Sequence, residues 1–223
     1  MRFQLSLRAV YVCLLANCLP KIEAQVKFTL ETLDALTVKP AQFLPLLTHL
    51  LSVLVFVPDI PRKPVLYMFN AVVNLIDRRK WPAGHETVYG DVWILCLHYL
   101  WAVSQPQFSV RFGDVDSNDL YYGSSETYLA AVAEKIDYVM QQVLALIETE
   151  PVSKPAIAMN LLECAVMRLE IEGPVVKLVA NLLKRCAKSG QFSSRVAFVI
   201  DDLTKLSEDN EELKQALIKM KLL

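Results

Sequence analysis

The length, composition and charge of the chain exclude several classes of protein at the outset. The chain has 223 residues, of which 54% are hydrophobic and 21% charged, with a formal net charge of −1. A chain of this size buries about 70% of its unfolded surface, so its core needs no disulfide or metal. Because a net charge near zero creates no long-range field, we expect no nucleic-acid partner and no direct attraction to an anionic membrane.

The high apolar content is spread along the chain in short stripes. A membrane-spanning helix needs about 20 consecutive apolar residues. The apolar stretch 50–57 ends at Pro58, whereas the stretch 92–103 contains His98 and follows Asp91. Neither is a convincing span, so we expect helices that bury apolar faces against one another.

The N-terminal stretch supports two interpretations. Arg2 followed by the apolar run 9–19 imitates a secretory signal peptide, and the order L-A-N-C ending at Cys18 imitates a lipoprotein cleavage box. Arg8 interrupts the apolar text, however. The apolar stripe of Leu5, Val12 and residues 15–19 fits a helix of the protein core equally well. A secreted helical protein with an N-terminal signal peptide therefore stays open as an alternative.

Proline positions divide the chain into segments of helical length. Proline inside a helix costs about 3 kcal/mol, so each proline is expected at a helix end or in a first turn. Between these positions apolar residues repeat at intervals of three and four, as at Val132, Ile136 and Val139. The predicted helices span residues 4–19, 24–36, 41–57, 63–79, 86–104, 126–149, 154–172, 174–188, 193–206 and 209–220.

Serine and glycine provide the predicted helix caps. Ser124 or Ser125 is expected to cap the helix that starts at residue 126, and Ser193 or Ser194 the helix that starts at 193. Gly190 is expected to end the helix before it. One long loop, at about 105–125, interrupts the otherwise short connections.

The succession of helices with short links predicts an all-α fold. We see no run of strand-like alternation and no heptad pattern sustained over three repeats. Antiparallel helix pairs stacked side by side account for such a sequence, so we predict a HEAT-like α-solenoid that forms a single domain over residues 1–223. A compact bundle is the competing arrangement, and a generic helical-repeat interaction module is the least specific functional interpretation.

The cysteines, histidines and glycines form no pattern that indicates catalysis. All five cysteines, Cys13, Cys18, Cys96, Cys164 and Cys186, stand singly in apolar helical text, which is typical of small core residues in a reducing compartment. There is no G-x-S-x-G element, no Walker loop and no G-x-G-x-x-G fingerprint. We therefore expect no enzyme activity, no catalytic residue, no cofactor and no metal site.

The sequence DVDSNDLYYG at 114–123 is the most unusual part of the chain. Asp114, Asp116 and Asn118 match the first half of a calcium-binding loop. The sixth position is Asp119 instead of glycine, and the twelfth is Ser125 instead of glutamate. A metal-binding enzyme, or an unrecognised hydrolase, is therefore a minor alternative.

Two further interpretations of this stretch are equally weighted. In one, its polar side chains cap helix ends and turn the backbone between helix pairs. In the other, the ordered loop displays its tyrosines to a partner protein, since tyrosine offers contact area at small entropic cost. The candidate residues for a partner interface or for loop ordering are Asp116, Ser117, Asn118, Asp119, Tyr121, Tyr122 and Gly123.

Parts of the chain resemble a known family. The resemblance rests on four stretches of sequence, LLSVLVFVPD at 50–59, KPVLYMFNAVVNLI at 63–76, LCLHYLWAVSQ at 95–105 and VDSNDLYYG at 115–123. They resemble the C-terminal part of the large subunit of retriever, the vacuolar-protein-sorting thirty-five-like solenoid of the endosomal Commander assembly. The stretch 115–123 looks like the family's V-D-S-N-D…Y-G element. It is the most specific of the four stretches, since apolar helices elsewhere would match many proteins.

The resemblance implies a non-enzymatic scaffold in endosomal recycling. Members of the family are curved α-solenoids that clamp a small metallophosphoesterase-fold subunit near the C-terminal end and an arrestin-like subunit near the N-terminal end. They help to return cargo from endosomes to the cell surface. The chain would be the C-terminal portion of a longer solenoid, cytoplasmic and peripheral on endosomes, with indirect membrane association. It would keep the small subunit and other Commander subunits as partners, and the arrestin-like subunit only if an N-terminal portion exists.

Overall fold

All the secondary structure that can be described is helical. The computed structural model describes residues 2–59, 62–108, 110–111, 114–123, 125–149, 154–169 and 171–220. These residues form eleven α-helices and no β-strand. In chain order the helices are α1 Arg2–Leu15, α2 Leu19–Asp34, α3 Pro40–Leu54, α4 Tyr67–Arg78, α5 Glu86–Val103, α6 Asn118–Tyr122, α7 Glu126–Thr149, α8 Lys154–Arg168, α9 Pro174–Ser189, α10 Ser193–Leu206 and α11 Glu211–Lys219.

The first compact unit, Met1–Met140, is built from packed helix pairs. Helix α1 packs along α2, α2 also contacts α4, and α3 packs against α5. Val10 and Leu14 of α1 are buried, as are Val26 and Leu33 of α2. The N-terminal stretch therefore packs through a different face from the predicted stripe, whose members Leu5, Val12 and Leu15 are 54%, 62% and 66% exposed.

The second compact unit, Gln141–Leu223, centres on the pair α8 and α9. Helix α10 packs against both, and α11 packs against α9 and α10. Glu163 of α8 accepts hydrogen bonds from Arg195 Nε at 2.7 Å and Nη2 at 2.6 Å, and Asn160 Oδ1 accepts a third from Nη2 at 2.7 Å. Such a two-pronged arginine–carboxylate pair fixes the register of α8 against α10.

The all-α prediction is confirmed, and the pairwise helix packing inside each unit fits the predicted α-solenoid. Packed pairs arise because each helix carries one apolar stripe that must be covered by a neighbour. The boundary between the two units falls inside α7. The single domain over 1–223 stays a prediction.

The first helix ends earlier than predicted. The prediction placed one helix at 4–19, but α1 ends at Leu15 and α2 begins at Leu19, with Pro20 in its first turn. Between them Asn17 adopts φ 49°, a left-handed conformation that asparagine tolerates better than most residues. Asn17 is therefore the signal for this turn, and a division based on proline overlooked it.

Proline and loop expectations were wrong at two further places. Pro45 lies inside α3 rather than at an end or in the first turn. Proline has no backbone N–H, so the helical hydrogen bond to the carbonyl of residue 41 is missing. The other backbone hydrogen bonds of the helix continue past this position. The predicted loop 105–125 contains the short helix α6.

The cap predictions had mixed outcomes. Gly190 follows α9 with φ 66°, so the predicted glycine stop is confirmed. Ser125 Oγ accepts the N–H of Tyr128 at 3.4 Å, as expected of a cap, whereas Ser124 lies outside the described residues. The serine cap of α10 is wrong, because that helix begins at Ser193 and its cap position is Phe192, without a side-chain bond.

Within the described ranges, no helix is long and apolar enough to cross a membrane. The cysteines are all free thiols. Cys96, Cys164 and Cys186 are buried, while Cys13 and Cys18 are partly exposed. Burial raises the pKa of Cys164 to about 12 and that of Cys186 to about 11, and it raises the pKa of Cys96 further.

We therefore expect two of the five thiols to react in the native chain. The thiolate is the nucleophile, so a buried thiol with a raised pKa reacts with Ellman's reagent at pH 8 only after unfolding. The measurement is the number of fast-reacting thiols before and after denaturation in guanidinium chloride. The C13S/C18S double variant should lose the fast phase, and a third fast thiol in the native wild-type chain would contradict the assignment.

Candidate functional site

The 115–123 segment is held by polar bonds to three other parts of the first unit. It includes α6 and joins the stretch that follows α3, the end of α5 with the loop beyond it, and the first turn of α7. Ser117, Asn118 and Asp119 are buried, although their residue types are usually exposed. Buried polar groups must be hydrogen-bonded to be tolerated, so the bonds of these side chains explain the local fold.

Asn118 is the centre of this network. It is 1% exposed, its Oδ1 accepts the backbone N–H of Asp59 at 2.7 Å, and its Nδ2 donates to the hydroxyl of Tyr128 at 3.3 Å. The Tyr128 hydroxyl in turn donates to the carbonyl of Val103 at 3.4 Å. Burial raises the pKa of Tyr128 well above its usual range, so the phenol stays a neutral donor. The carboxamide therefore connects α6 to the stretch after α3 and to α7, and through the Tyr128 hydroxyl to the end of α5.

Asp119 ties α6 to the preceding loop. Its Oδ2 accepts the backbone N–H of Phe108 at 2.9 Å, and its Oδ1 accepts the hydroxyl of Ser117 at 2.5 Å. Burial favours the neutral acid, but the hydrogen bonds from Phe108 and Ser117 outweigh it and lower the pKa of Asp119. The side chain is therefore an ionised, fully engaged structural acceptor.

Gly123 closes the segment where the backbone has no room for a side chain. A Cβ there would lie 2.3 Å from the carbonyl oxygen of Asp119 and 2.5 Å from that of Pro106. The bulky side chain of Tyr122, just before Gly123, is accommodated because its ring stacks on that of Tyr128, with centroids 5.4 Å apart and planes 17° apart. Of these two positions, only position 123 therefore requires glycine.

The outer side of the segment is exposed. Leu120 is 44% exposed and Tyr121 51%, and Asp116 is also exposed. Two apolar side chains on a stretch that is otherwise tightly bonded form a rigid, displayed surface. The candidate residues thus divide into those that order the segment and those that face outward.

An apolar cleft of about 290 Å³ opens beside this surface. Its walls come from the start of α2, the stretch after α3, α4 and α6, and they include Tyr121, Tyr122 and Asp59. Asp59 Oδ2 accepts the N–H of Leu66 at 2.9 Å, while burial raises the pKa of Asp59 against this bond. Leu66 has a left-handed φ of 59°. That conformation is unfavourable for leucine, and the bond to Asp59 together with the burial of the leucine side chain offsets it.

The structure does not bring the residues of the calcium-loop hypothesis together as a set of metal ligands. The Asn118 Oδ1 accepts a backbone N–H, and Asp114 and Asp116 are exposed. Over the described residues there is no group of three or more His, Cys, Asp or Glu side chains placed to hold a metal ion. Sequence reasoning missed Asp59 and Tyr128 as partners of Asn118, because no spacing rule links residues so far apart in the chain.

Comparison with known proteins identifies the family. A family model described as the VPS35L C-terminal domain matches residues 1–222. The chain belongs to this family. The resemblance inferred from the sequence is therefore confirmed.

Individual VPS35L relatives are distant and much longer. The Homo sapiens protein named "VPS35 endosomal protein-sorting factor-like" is 27% identical over 158 residues, which cover 66% of the chain and 16% of the relative. The Mus musculus protein of that name is 28% identical over 161 residues, with the same coverage. The Drosophila melanogaster protein is 24% identical over 187 residues, covering 80% of the chain and 20% of the relative. The chain thus spans only 16 to 20% of the length of these relatives.

Gly123→Ala should destabilise the first unit by about 2 kcal/mol or more, because the added methyl meets two backbone carbonyls that cannot rotate away. Gly84→Ala is the control. Gly84 has φ 84° but open space around it, so alanine should cost only about 1 kcal/mol there. Urea unfolding followed by circular dichroism measures both, and equal losses at the two positions would contradict the steric argument.

Asp119→Asn should lower the free energy of unfolding by roughly 1–3 kcal/mol at pH 7, because an amide cannot accept from both donors. The folded-state pKa lies below the ordinary 3.8. The ionised side chain therefore stabilises the fold above about pH 4, and this contribution is lost as the pH falls through the folded-state value.

The difference between wild type and Asp119→Asn should accordingly be constant from pH 5 to 8 and shrink at pH 3. The raised pKa of Asp59 favours the folded state at low pH, which is the opposite pH dependence. Asp59 is present in both proteins, so its contribution to the difference cancels. Urea unfolding at pH 7, 5 and 3 measures the difference. A gap that stays the same or widens at pH 3 would show that the carboxylate is not the stabilising form.

Proposed function

We propose that the chain is a non-enzymatic scaffold in endosomal protein sorting. In this role it belongs to a retriever-like coat that returns cargo from endosomes to the plasma membrane, and it binds a small metallophosphoesterase-fold subunit. The other Commander subunits are its further partners, and an arrestin-like subunit binds where an N-terminal portion is present. The chain acts in the cytoplasm, peripheral on endosomes, and reaches the membrane indirectly through its partners.

The observation that carries this proposal is the match of the VPS35L C-terminal domain model to residues 1–222. The relatives are named as endosomal protein-sorting factor-like proteins. Packed helix pairs with one ordered, exposed segment suit a scaffold. The polar side chains that are buried in that segment serve hydrogen bonds within the fold, which supports a structural role for them.

We assign two roles within the 115–123 segment. Ser117, Asn118, Asp119 and Gly123 order it, because their side chains or their lack of one fit the buried network. Asp116 and Tyr121 contact the partner, because both are exposed on the outer side. Tyr122 links the two groups through its stacking on Tyr128.

Tyr121 is the side chain we expect to matter most for partner binding. An interface of ordinary size buries about 1,600 Å², and a few aromatic or arginine anchors carry most of its free energy. Tyr121 is half-exposed on a backbone that is already fixed, so binding costs little further ordering. Replacing it removes contact area without touching the bonds of Asn118 or Asp119.

The test is purification of the tagged chain from cultured animal cells, followed by mass spectrometry of the bound proteins. We expect the small metallophosphoesterase-fold subunit and other Commander subunits among them. Tyr121→Ala should reduce recovery of the small subunit by tenfold or more. Phe28→Ala is the matched control, because Phe28 is 46% exposed on α2 and lies outside the segment.

Thermal unfolding of both variants should match that of the wild type, which separates lost binding from lost folding. Recovery of the chain without any endosomal coat protein would contradict the proposed function. Recovery of the small subunit at equal levels with Tyr121→Ala and wild type would leave the scaffold role but remove Tyr121 from the interface.

A further inference from the structure

The cleft beside Tyr121 combines apolar walls with two carboxylates. Ile22 of α2, Met68 of α4 and the rings of Tyr121 and Tyr122 supply apolar surface. Glu23 and Asp59 line the same space. None of the described residues that line it is a lysine, an arginine or a histidine.

The basic residues nearby belong to a neighbouring groove. That groove, of about 320 Å³, shares Glu23 and Met68 with the cleft and is lined by Lys27 and Arg78. There Arg78 already pairs with Asp34, with 3.7 Å between Nη2 and Oδ2. Neither Glu23 nor Asp59 takes part in an ion pair with another described residue. The cleft therefore keeps two uncompensated acidic groups next to apolar surface.

An added cation would stabilise the ionised form of Asp59. It is partly buried, and burial raises its pKa above the ordinary value. A cation within about 4–6 Å favours the ionised form of such a carboxyl group. Charge complementarity thus calls for a basic side chain between Asp59 and Glu23.

The size and rigidity of the cleft indicate a short segment as its ligand. About 290 Å³ is at the lower end of small-ligand sites, which range over roughly 300–1,000 Å³, so a few side chains fit and a folded domain does not. The walls are fixed before binding, since Asn118 holds the backbone of Asp59 and Tyr122 stacks on Tyr128. A preorganised site of this kind binds a short segment without a large ordering cost.

We propose that this cleft binds a short segment of another protein in which a lysine or arginine is flanked by apolar residues. The apolar residues pack on Ile22, Met68 and Tyr121. The basic side chain lies between the carboxylates of Glu23 and Asp59. Neither carboxylate belongs to the outer surface assigned above to the small subunit, so this inference goes beyond the proposed scaffold role.

The experiment is a selection of random heptapeptides displayed on phage against the purified 223-residue chain. The enriched peptides are then synthesised with a fluorophore, and their Kd is measured by fluorescence polarisation. We expect them to carry at least one lysine or arginine beside two or more apolar residues. The E23Q/D59N double variant should weaken their binding at least tenfold, and Tyr121→Ala should weaken it as well.

The variants are chosen to preserve the fold. Asparagine at position 59 keeps a carbonyl that can accept the N–H of Leu66 while it loses the charge. Glu134→Gln is the matched control, since Glu134 is exposed on α7, outside the cleft, and its replacement removes the same charge. Urea unfolding should show that all three proteins are folded under the binding conditions.

Three outcomes of the peptide selection and the Kd measurements would overturn the inference. They are the absence of enriched peptides, enrichment of peptides without a basic residue, and an unchanged Kd in the double variant. A concentration-dependent dimer in analytical ultracentrifugation that E23Q/D59N abolishes would make a second copy of the chain the occupant, which also overturns it. Because the selection uses the purified chain alone, its failure is distinct from a failure to recover endosomal partners from cells.

Discussion

The carboxamide of Asn118 is the interaction on which the candidate site depends. It joins Asp59, which is 59 positions earlier, to Tyr128, which is ten positions later. The bond to Tyr128 is buried and the bond to Asp59 partly buried, and a buried donor or acceptor left without a partner costs about 1–3 kcal/mol. An amide offers an acceptor and donors on one short side chain, whereas a carboxylate offers only acceptors and leucine offers neither. Position 118 therefore requires asparagine, because the side chain must accept one hydrogen bond and donate another.

The two bonds of Asn118 also position the surfaces that we propose for recognition. Through Asp59, Asn118 fixes one wall of the cleft, and through Tyr128 it supports the stacked ring of Tyr122 on another. Asp119, which accepts the hydroxyl of Ser117, fixes the same first turn of α6 against the loop that follows α5. Tyr121 follows these residues in α6, lies with its ring 6.0 Å from that of Tyr122, and stays half-exposed. Because the buried polar side chains fix the backbone of the segment, Tyr121 is displayed on a rigid surface.

Sequence reasoning succeeded where a periodic pattern carries the information. Helix α7 has the predicted bounds, because its apolar residues recur every three or four positions. It failed where one residue decides the backbone, as at Asn17, whose left-handed turn separates α1 from α2. The predicted candidate residues include Asn118, but not its partners Asp59 and Tyr128. Neither pairing leaves a local trace in the sequence, so only the folded chain reveals which polar residues are bonded within the fold and which are exposed.

The charge of the chain determines how its surfaces can discriminate among ligands. With a net charge of −1 we expect no long-range attraction of a partner, and at physiological salt the field of a single carboxylate is screened within about 8 Å. Glu23 and Asp59 therefore act only on a cation that has already entered the cleft, and apolar contact has to bring it there. Tyr121 belongs both to that cleft and to the outer surface proposed for the small subunit. Two ligands that share a side chain cannot bind independently, and because such coupling is reciprocal, each must change the affinity of the other by the same factor.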